Sequence, residues 1–231
     1  MRDPATTDVA VLLERLPHGL RPLTRVSYFI DAQLYGVQPA GFLSTNLFLH
    51  ATTVLLVFAL ARRRLDNTAA LAAALLFAVQ PANAEVVAYV SGRSTGLMTP
   101  LLLGGLLLHD HGKRLGALLL FCLACLAKEH ALVFPALVLA WELTRTEPRS
   151  RVVRDIAITI VIAGIVAVGL LGTDGYRTLL GHSLSDRPIG ENLLANARAI
   201  PQMLSLWVRP WALSADHAFD QRVHWGASIA G

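Results

Sequence analysis

The sequence predicts an all-α protein, a polytopic bundle of membrane helices, and three observations carry this prediction. The 231 residues are 54% hydrophobic and only 16% charged, with a mean hydropathy of +0.52, which is rare in a soluble domain. Strongly apolar stretches fill the chain from residue 42 onward. Basic loops at 62–64, 113–114 and 145–154 recur after every second stretch. We expect about six to eight membrane helices, short hairpin helices included.

The basic loops also predict an orientation. Loops rich in Lys and Arg stay on the cytoplasmic side of a membrane, so the other hairpin tips should emerge together on the far side. Those tips carry Glu85, Arg93, Lys128, Glu129 and His130. The sequence therefore predicts one extracytoplasmic cluster of ionisable residues.

Charge and cysteine content exclude several other classes. The net charge of +4 comes mostly from arginines in short loops, which favours membrane orientation and anionic headgroups over nucleic acid. Cys122 and Cys125 lie inside an apolar run with no second cysteine pair, so small packing residues are favoured over zinc or redox chemistry. No metal site is predicted.

Three regions follow along the chain. Residues 1–41 read as an outer-side amphipathic arm, because they hold no stretch of about 20 apolar residues. Residues 42–172 read as the membrane helix bundle. Residues 173–231 read as an outer loop and a Trp-rich interfacial or membrane segment around Trp207 and Trp211, whose topology stays open. Since nothing upstream carries the arm outside, we expect an N-terminal helix to be absent from this chain.

Within the bundle, spans are predicted at 42–60, 68–79, 86–108 and 156–172. Asn46, His50 and Thr53 form a polar stripe on the first span that should face other helices. The stretch 115–141 permits one long helix or a hairpin turning at Lys128 to His130. The hairpin is preferred, because a single span would bury three ionisable residues near the membrane midplane.

Four motifs carry a family resemblance. They are Arg21-Pro22-Leu23-Thr24 with Ser27-Tyr28; Glu85 to Arg93, EVVAYVSGR; Leu126-Ala127-Lys128-Glu129-His130; and Leu213-Ser214-Ala215-Asp216-His217. In this order and spacing the chain resembles the transmembrane part of TMTC-type O-mannosyltransferases, which carry transmembrane helices and tetratricopeptide repeats, and of their bacterial relatives.

The resemblance implies a GT-C glycosyltransferase fold that takes a hexose from a polyprenyl-phosphate carrier outside the cytoplasm. The acceptor would be a protein or glycan hydroxyl. The family's large acidic outer loop, thought to include the catalytic base, is not present before Leu20. The family also has His-Pro where this chain has Gln80-Pro81, and a second His near Asn83.

Such transfer needs a cation for the departing phosphate and an acceptor for the hydroxyl proton. Arg93 and Lys128 are the predicted phosphate-binding residues, with Glu85, Glu129 and His130 lining the sugar or lipid pocket. The catalytic base is unassigned, and Glu85 and Asp31 are the candidates that remain. Structural alternatives stay open, namely a snorkelling arginine, a polar turn at 128–130 and a helix-start acid at Glu85.

Two other functions compete with transfer. A transporter or flippase would use the same cations for an anionic lipid-linked cargo, although no inverted repeat is visible. A non-catalytic membrane subunit is the third candidate. In each case we expect a multi-pass integral membrane protein, in the bacterial inner membrane or, in a eukaryote, the ER membrane. No cofactor is assigned besides the polyprenyl-phosphate sugar, and a need for a divalent metal stays open.

Overall fold

A computed structural model gives the structure of the chain. It describes residues 4–16, 20–144, 152–173 and 175–178, with 181, 190–191, 193–195, 197 and 199–201. The chain divides into two compact units, residues 1–182 and 183–231. The predicted Trp-rich segment at 202–213, the motif at Leu213 and the loop residues 145–151 lie outside the described residues.

The described part of the chain is helical and contains no strand, which confirms the predicted all-α class. Short 3-10 turns lie between several of the helices. The α-helices are α1 Val9–Arg15, α2 Pro22–Tyr35, α3 Pro39–Ala61, α4 Asn67–Val79, α5 Ala84–Ala88, α6 Arg93–Asp110, α7 Arg114–Ala127, α8 Phe134–Leu143 and α9 Val152–Leu171.

Helices α3 and α4 form the first hairpin. Pro39 starts α3, where its missing N–H costs nothing. The carboxylate of Asp66 caps α4 by accepting from the backbone N–H groups of Thr68 and Ala69, both at 2.9 Å. His50 Nε2 lies 3.2 Å from the carbonyl of Ala78, so α4 returns along α3. Helices are therefore present at both expected positions, 42–60 and 68–79.

The span expected at 86–108 is wrong at its beginning. The chain instead forms α5, a 3-10 turn at Val90–Gly92 and then α6. Tyr89 is extended and ends α5. A Cβ on Gly92 would lie 2.7 Å from the carbonyl oxygen of Glu85 and 2.8 Å from the Cα of Val86, so only glycine lets the two backbones approach this closely. Residues 84–92 therefore fold into a compact turn before Arg93.

The stretch 115–141 is a hairpin, as predicted. Lys128 is extended and ends α7, the 3-10 turn Glu129–Val133 follows, and α8 runs back. The rings of Phe121 and Phe134 stack with centroids 5.1 Å apart across the turn. Trp141, near the end of α8, donates from Nε1 to Asp110 Oδ1 at 3.0 Å. The end of α8 therefore lies beside the loop between α6 and α7.

The core lies where α6, α7 and α8 meet. Leu102, Leu106, Phe121, Phe134 and Val138 are all buried there. Small residues let the helices approach, since a Cβ on Gly105 would lie 3.3 Å from both the carbonyl of Ala117 and the Phe134 ring.

Within the described ranges, two helices are long and apolar enough to cross a membrane, α3 with 23 residues and α9 with 20. Helix α4 and residues 81–88, bent by 52°, add a third if they form one span. Helices α6, α7 and α8 have 18, 14 and 10 residues. Phe48, Leu76 and Val153 are 70%, 70% and 82% exposed, as lipid-facing side chains would be in a bundle without its bilayer.

Candidate functional site

The basic loops gather at one end of the helices, called here the basic end. Arg63 Nε donates to Asp110 Oδ2 at 2.6 Å, and the Arg64 guanidinium lies 4.3 Å from the centre of the Trp141 ring. Arg114 Nε donates to Asp155 Oδ2 at 2.9 Å. The loops at 62–64 and 113–114 therefore share one end, as their spacing predicted.

The opposite end, called here the polar end, brings together residues 84–95 and 127–130. Tyr28 on α2 donates from its hydroxyl to the carbonyl of Val90 at 2.7 Å. Thr24, one turn earlier, donates to the carbonyl of Ala127 at 3.0 Å. Lys128 Nζ donates to Thr95 Oγ1 at 2.7 Å. Helix α2 thus contacts both segments, and the prediction that they lie at the same end is confirmed.

Arg93 is fully buried at the polar end. Its Nη2 donates to Asp31 Oδ2 and to the carbonyl of Phe42, both at 2.7 Å, and its Nε donates to Asn46 Oδ1. The guanidinium also lies 5.4 Å from the centre of the Tyr28 ring. Asp31 is only 3% exposed, so this is a buried ion pair that joins α2, α3 and α6.

These contacts bear on two predicted roles. Since Arg93 has no exposed surface, a direct phosphate contact would require it to exchange a partner. Asp31 also accepts from Thr45 Oγ1 at 2.9 Å, so its carboxylate is engaged twice. Phosphate binding by Arg93 and base catalysis by Asp31 stay predictions.

Lys128 has a different environment. It is half-buried, and its ammonium donates to the Thr95 hydroxyl. Among the described residues no carboxylate lies within 4.0 Å of Nζ. A partly desolvated ammonium without a carboxylate partner retains its capacity to bind an anion. Of the two predicted phosphate-binding cations, Lys128 is the one that remains available in this geometry.

Glu129 follows Lys128 and is held by two other elements. Arg21 forms a bidentate pair with it, from Nη2 to Oε1 at 2.6 Å and from Nε to Oε2 at 3.1 Å. The hydroxyl of Tyr176 donates to Oε2 at 3.2 Å. Burial is the largest single effect and raises the pKa of Glu129, but the hydrogen bonds and charge of Arg21, a backbone hydrogen bond and the Tyr176 hydroxyl together lower it to about 2. Burial and the neighbouring carboxylate raise the pKa of Tyr176 to about 12.

The remaining predicted residues lie nearer to solvent. His130 is 68% exposed, with Nδ1 3.5 Å from Glu129 Oε1. Glu85 is exposed in α5, and its carboxylate forms no hydrogen bond or ion pair with the described residues. At Gln80-Pro81 the chain bends, and Asn83 Nδ2 donates to the carbonyl of Phe77 at 2.7 Å, which stabilises the bend.

Our sequence analysis missed Arg21, Thr24, Tyr28 and Tyr176 as site residues. The first three belong to the motif Arg21-Pro22-Leu23-Thr24 with Ser27-Tyr28, which was used only to identify the resemblance. Each of them bonds to the polar end. That motif was therefore the sequence signal from which these three residues could have been predicted as part of the site. Tyr176 had none, because its partner is 47 residues away.

Acids at the basic end are buried and paired. Asp110 is 1% exposed, and His109 Nε2 lies 3.0 Å from Glu142 Oε1. A cavity of about 40 Å³ lies beside His109, Arg114 and Asp155. Within the described ranges, no three His, Cys, Asp or Glu side chains are grouped to hold a metal ion. Cys125 is buried and Cys122 half-buried, and both thiols are free.

Comparison with known proteins identifies relatives of part of this chain. Protein O-mannosyl-transferase F38B6.6 of Caenorhabditis elegans is 31% identical over 159 residues, which are 65% of this chain and 22% of that protein. TMTC3 of Homo sapiens is 30% identical over 100 residues, 43% of this chain and 11% of that protein. Tmtc1 of Drosophila melanogaster is 39% identical over 85 residues, 36% of this chain and 10% of that protein.

No family model matches the chain, and no solved structure matches it. The chain spans 22% or less of the length of these relatives in the matched regions. The motifs at Arg21, Glu85 and Leu126 had predicted this kinship. The curated homologues of this chain are TMTC-type protein O-mannosyl-transferases, at modest identity and over part of its length.

Proposed function

We propose that this chain is the membrane part of a GT-C glycosyltransferase. It transfers a mannose-like hexose from a polyprenyl-phosphate donor to a protein or glycan hydroxyl. The similarity to three protein O-mannosyl-transferases carries the proposal. The polar end, with its half-buried lysine, supplies the chemistry that such a donor requires.

The reaction breaks the bond between the sugar C1 and the phosphate oxygen. The acceptor hydroxyl oxygen bonds to C1, and its proton passes to a base. The polyprenyl phosphate leaves with added negative charge, which a fixed cation stabilises in the transition state. In this proposal Lys128 supplies that cation, since its ammonium is engaged by a hydroxyl group.

Arg93 has a supporting place in the proposal. Its pair with Asp31 fixes α2 and α6 around Lys128, and its binding to phosphate would follow only an exchange of partners. In this proposal Glu129 and His130, which follow Lys128 in the chain, would line the sugar or lipid site. In the structure Thr95 Oγ1 accepts from the ammonium at 2.7 Å.

Of the carboxylates at the polar end, Glu85 suits proton transfer best. Glu129 is a weak base because Arg21 holds its pKa at about 2. Asp31 is buried against Arg93. Glu85 is exposed, and its carboxylate forms no hydrogen bond or ion pair with the described residues. We therefore propose Glu85 as the proton acceptor that this chain itself offers.

We place the polar end outside the cytoplasm, because the opposite end carries the basic loops. The membrane is the bacterial inner membrane or, in a eukaryote, the ER membrane. Helices α3 and α9 are long and apolar enough to cross it. The exposed apolar side chains along the bundle support a bilayer as the surrounding medium.

The test is transfer of radiolabelled mannose from polyprenyl-phosphate mannose by the purified chain in nanodiscs. Lys128→Met should reduce transfer by about 100-fold, the cost of losing one stabilising charge in a transition state. Lys113→Met is the matched control, because Lys113 is exposed near the basic end. Arg93→Lys keeps the charge and shows whether the guanidinium geometry matters.

Two results would contradict the proposal. Equal transfer activity of Lys128→Met and Lys113→Met would show that Lys128 does not stabilise the departing phosphate. Absence of transfer with every polyprenyl-phosphate hexose, together with tight binding of the same lipids, would favour a flippase or a non-catalytic subunit.

A further inference from the structure

Lys128 is flanked by two fixed points, and both are contacts with the first turn of α2. On one side the hydroxyl of Thr24 donates to the carbonyl of Ala127 at 3.0 Å, in a buried position. On the other side Arg21 grips the carboxylate of Glu129 through two nitrogens. The lysine between them is extended, with φ −160° and ψ 138°. Its backbone is therefore held before and after the side chain that reaches Thr95.

The backbone of Arg21 is strained. With φ 55° and ψ 60° it is left-handed, the one non-glycine residue with positive φ among those that the structure describes. It also precedes Pro22, which already restricts its conformation. A left-handed conformation costs a side-chain-bearing residue free energy, and such strain persists only where surrounding contacts determine it. The bidentate bond to Glu129 is the contact that holds the Arg21 side chain, and the backbone N–H of Arg25 donates to the Arg21 carbonyl at 3.2 Å.

The carboxylate of Glu129 has neighbours on three elements. Arg21 faces it from the start of α2, Tyr176 from residues 175–178, and His130 from its own turn. The pairs differ in geometry, because only Arg21 engages both carboxylate oxygens at hydrogen-bond distance. A fork of this kind fixes orientation as well as charge.

We propose that Arg21 is a positioning residue, which holds Glu129 so that the Lys128 ammonium stays directed toward Thr95. This inference rests on the proposed function for the identity of the ligand, a polyprenyl phosphate. The position of the lysine itself is measurable without any ligand.

The test uses the lysine content of the chain, which is only Lys113 and Lys128. Detergent-solubilised protein is acetylated briefly with an amine-reactive ester, and mass spectrometry gives the ratio of modification at Lys128 to that at exposed Lys113. Arg21→Gln should raise this ratio by about fivefold, the effect of losing one partly exposed ion pair. Arg21→Lys, which keeps the charge without the fork, should fall between Arg21→Gln and wild type.

Arg25→Gln is the matched control. Arg25 lies one turn further along α2 and donates from Nε to the carbonyl of Leu20 at 3.1 Å, away from Glu129. The ratio of Lys128 to Lys113 acetylation in Arg25→Gln should equal that of the wild type. Alkylation of buried Cys125 reports on folding in each variant. If Arg21→Gln exposes that thiol, Glu129→Gln provides the same measurement with a smaller change.

The outcomes separate the two proposals. An unchanged Lys128 ratio in folded Arg21→Gln and Glu129→Gln overturns the positioning role. A raised ratio supports it, even if the wild-type chain transfers no sugar and the proposed function falls. Where transfer is observed, Arg21→Gln should lower kcat/KM in the wild type but cause no further loss in Lys128→Met, because positioning acts through the lysine.

Discussion

The two ends of the helix bundle treat charge differently. At the basic end, the buried acids Asp110 and Asp155 pair with Arg63 and Arg114, whose side chains are 43% and 35% exposed. At the polar end, Arg93 is buried and pairs with a buried Asp31, while Arg21 is 37% exposed and pairs with Glu129. The polar end also holds Lys128, which donates to a hydroxyl.

The difference indicates two roles for charge: ion pairs at the basic end fix the loops, and the lysine at the polar end is able to bind an anion. Arginines at the basic end lie on the surface and reach inward to acids, which fixes loops while their outer faces meet water or lipid headgroups. At the polar end the Arg93–Asp31 ion pair is buried in the interior. The neighbouring cation, Lys128, donates to a neutral hydroxyl group instead of a carboxylate. Such an arrangement leaves the Lys128 ammonium able to pair with an anion.

The largest expected contrast between the ends concerns their ion pairs. Arg93→Met should destabilise the fold by about 3–5 kcal/mol, because it leaves Asp31 buried without its charge partner. Arg63→Met should cost about 1 kcal/mol, since Asp110 keeps its bond to Trp141 at 3.0 Å. Unfolding of both variants in mixed detergent micelles measures the difference. Adding Asp31→Asn to Arg93→Met should recover part of the lost stability. Equal destabilisation by Arg93→Met and Arg63→Met would contradict the difference between the two ends.

A second contrast concerns close backbone approach. Gly92→Ala should destabilise by about 2 kcal/mol, because the new Cβ meets the backbone of Glu85 and Val86, which must shift. At the basic end, Gly116→Ala brings a Cβ 2.9 Å from the flexible end of Leu108. That methyl can move, and alanine favours the helix, so the change should be close to neutral.

The same unfolding assay compares the two glycine variants. A Gly116→Ala that costs as much as Gly92→Ala would mean that the turn at 84–92 is no tighter than an ordinary helix contact. Lys128 acetylation should also rise in Gly92→Ala, since the shifted turn lies next to Arg93 and Thr95.

The smallest effect concerns pH at the polar end. Arg21 lowers the pKa of Glu129 from 4.5 to about 2, so the pair stabilises the fold fully above pH 4.5. That contribution is lost as the pH falls from 4.5 toward 2. The Glu129 side chain is 28% exposed, so screening limits the gain to about 1 kcal/mol. Unfolding of wild type and Glu129→Gln at pH 6 and pH 3 should show a gap that narrows at the lower pH. A constant gap would contradict the pairing.

Topology was predictable because burying charge in a membrane is costly. The hairpin turning at Lys128 and the common end for residues 85–93 and 128–130 both followed from that cost. The end of α3 followed from the arginines at 62–64, whereas its beginning at Pro39 and the Asp66 cap of α4 were not predicted. These signals are local, so a single sequence carries them.

Pairing across the fold was not predictable in the same way. Arg21 and Glu129 are 108 residues apart, and Arg93 and Asp31 are 62 apart. No periodicity links such residues. Glu85 is nearer to Arg93 in sequence than Asp31 is, but the tight turn at Gly92 leaves Glu85 exposed while α2 brings Asp31 to the arginine. The turn at 84–92 was not predicted either, so the span was expected to begin at residue 86, whereas α6 begins at Arg93.

The central claim is that the polar end receives the donor phosphate, and photocrosslinking tests it most directly. A polyprenyl phosphate with a photoreactive group next to the phosphate is bound to the chain in nanodiscs and irradiated, and labelled peptides are mapped. The account predicts label on residues 93–95 and 128–130, displaced by excess unlabelled lipid. Displaceable label on residues 62–64 and 113–114 instead would contradict it.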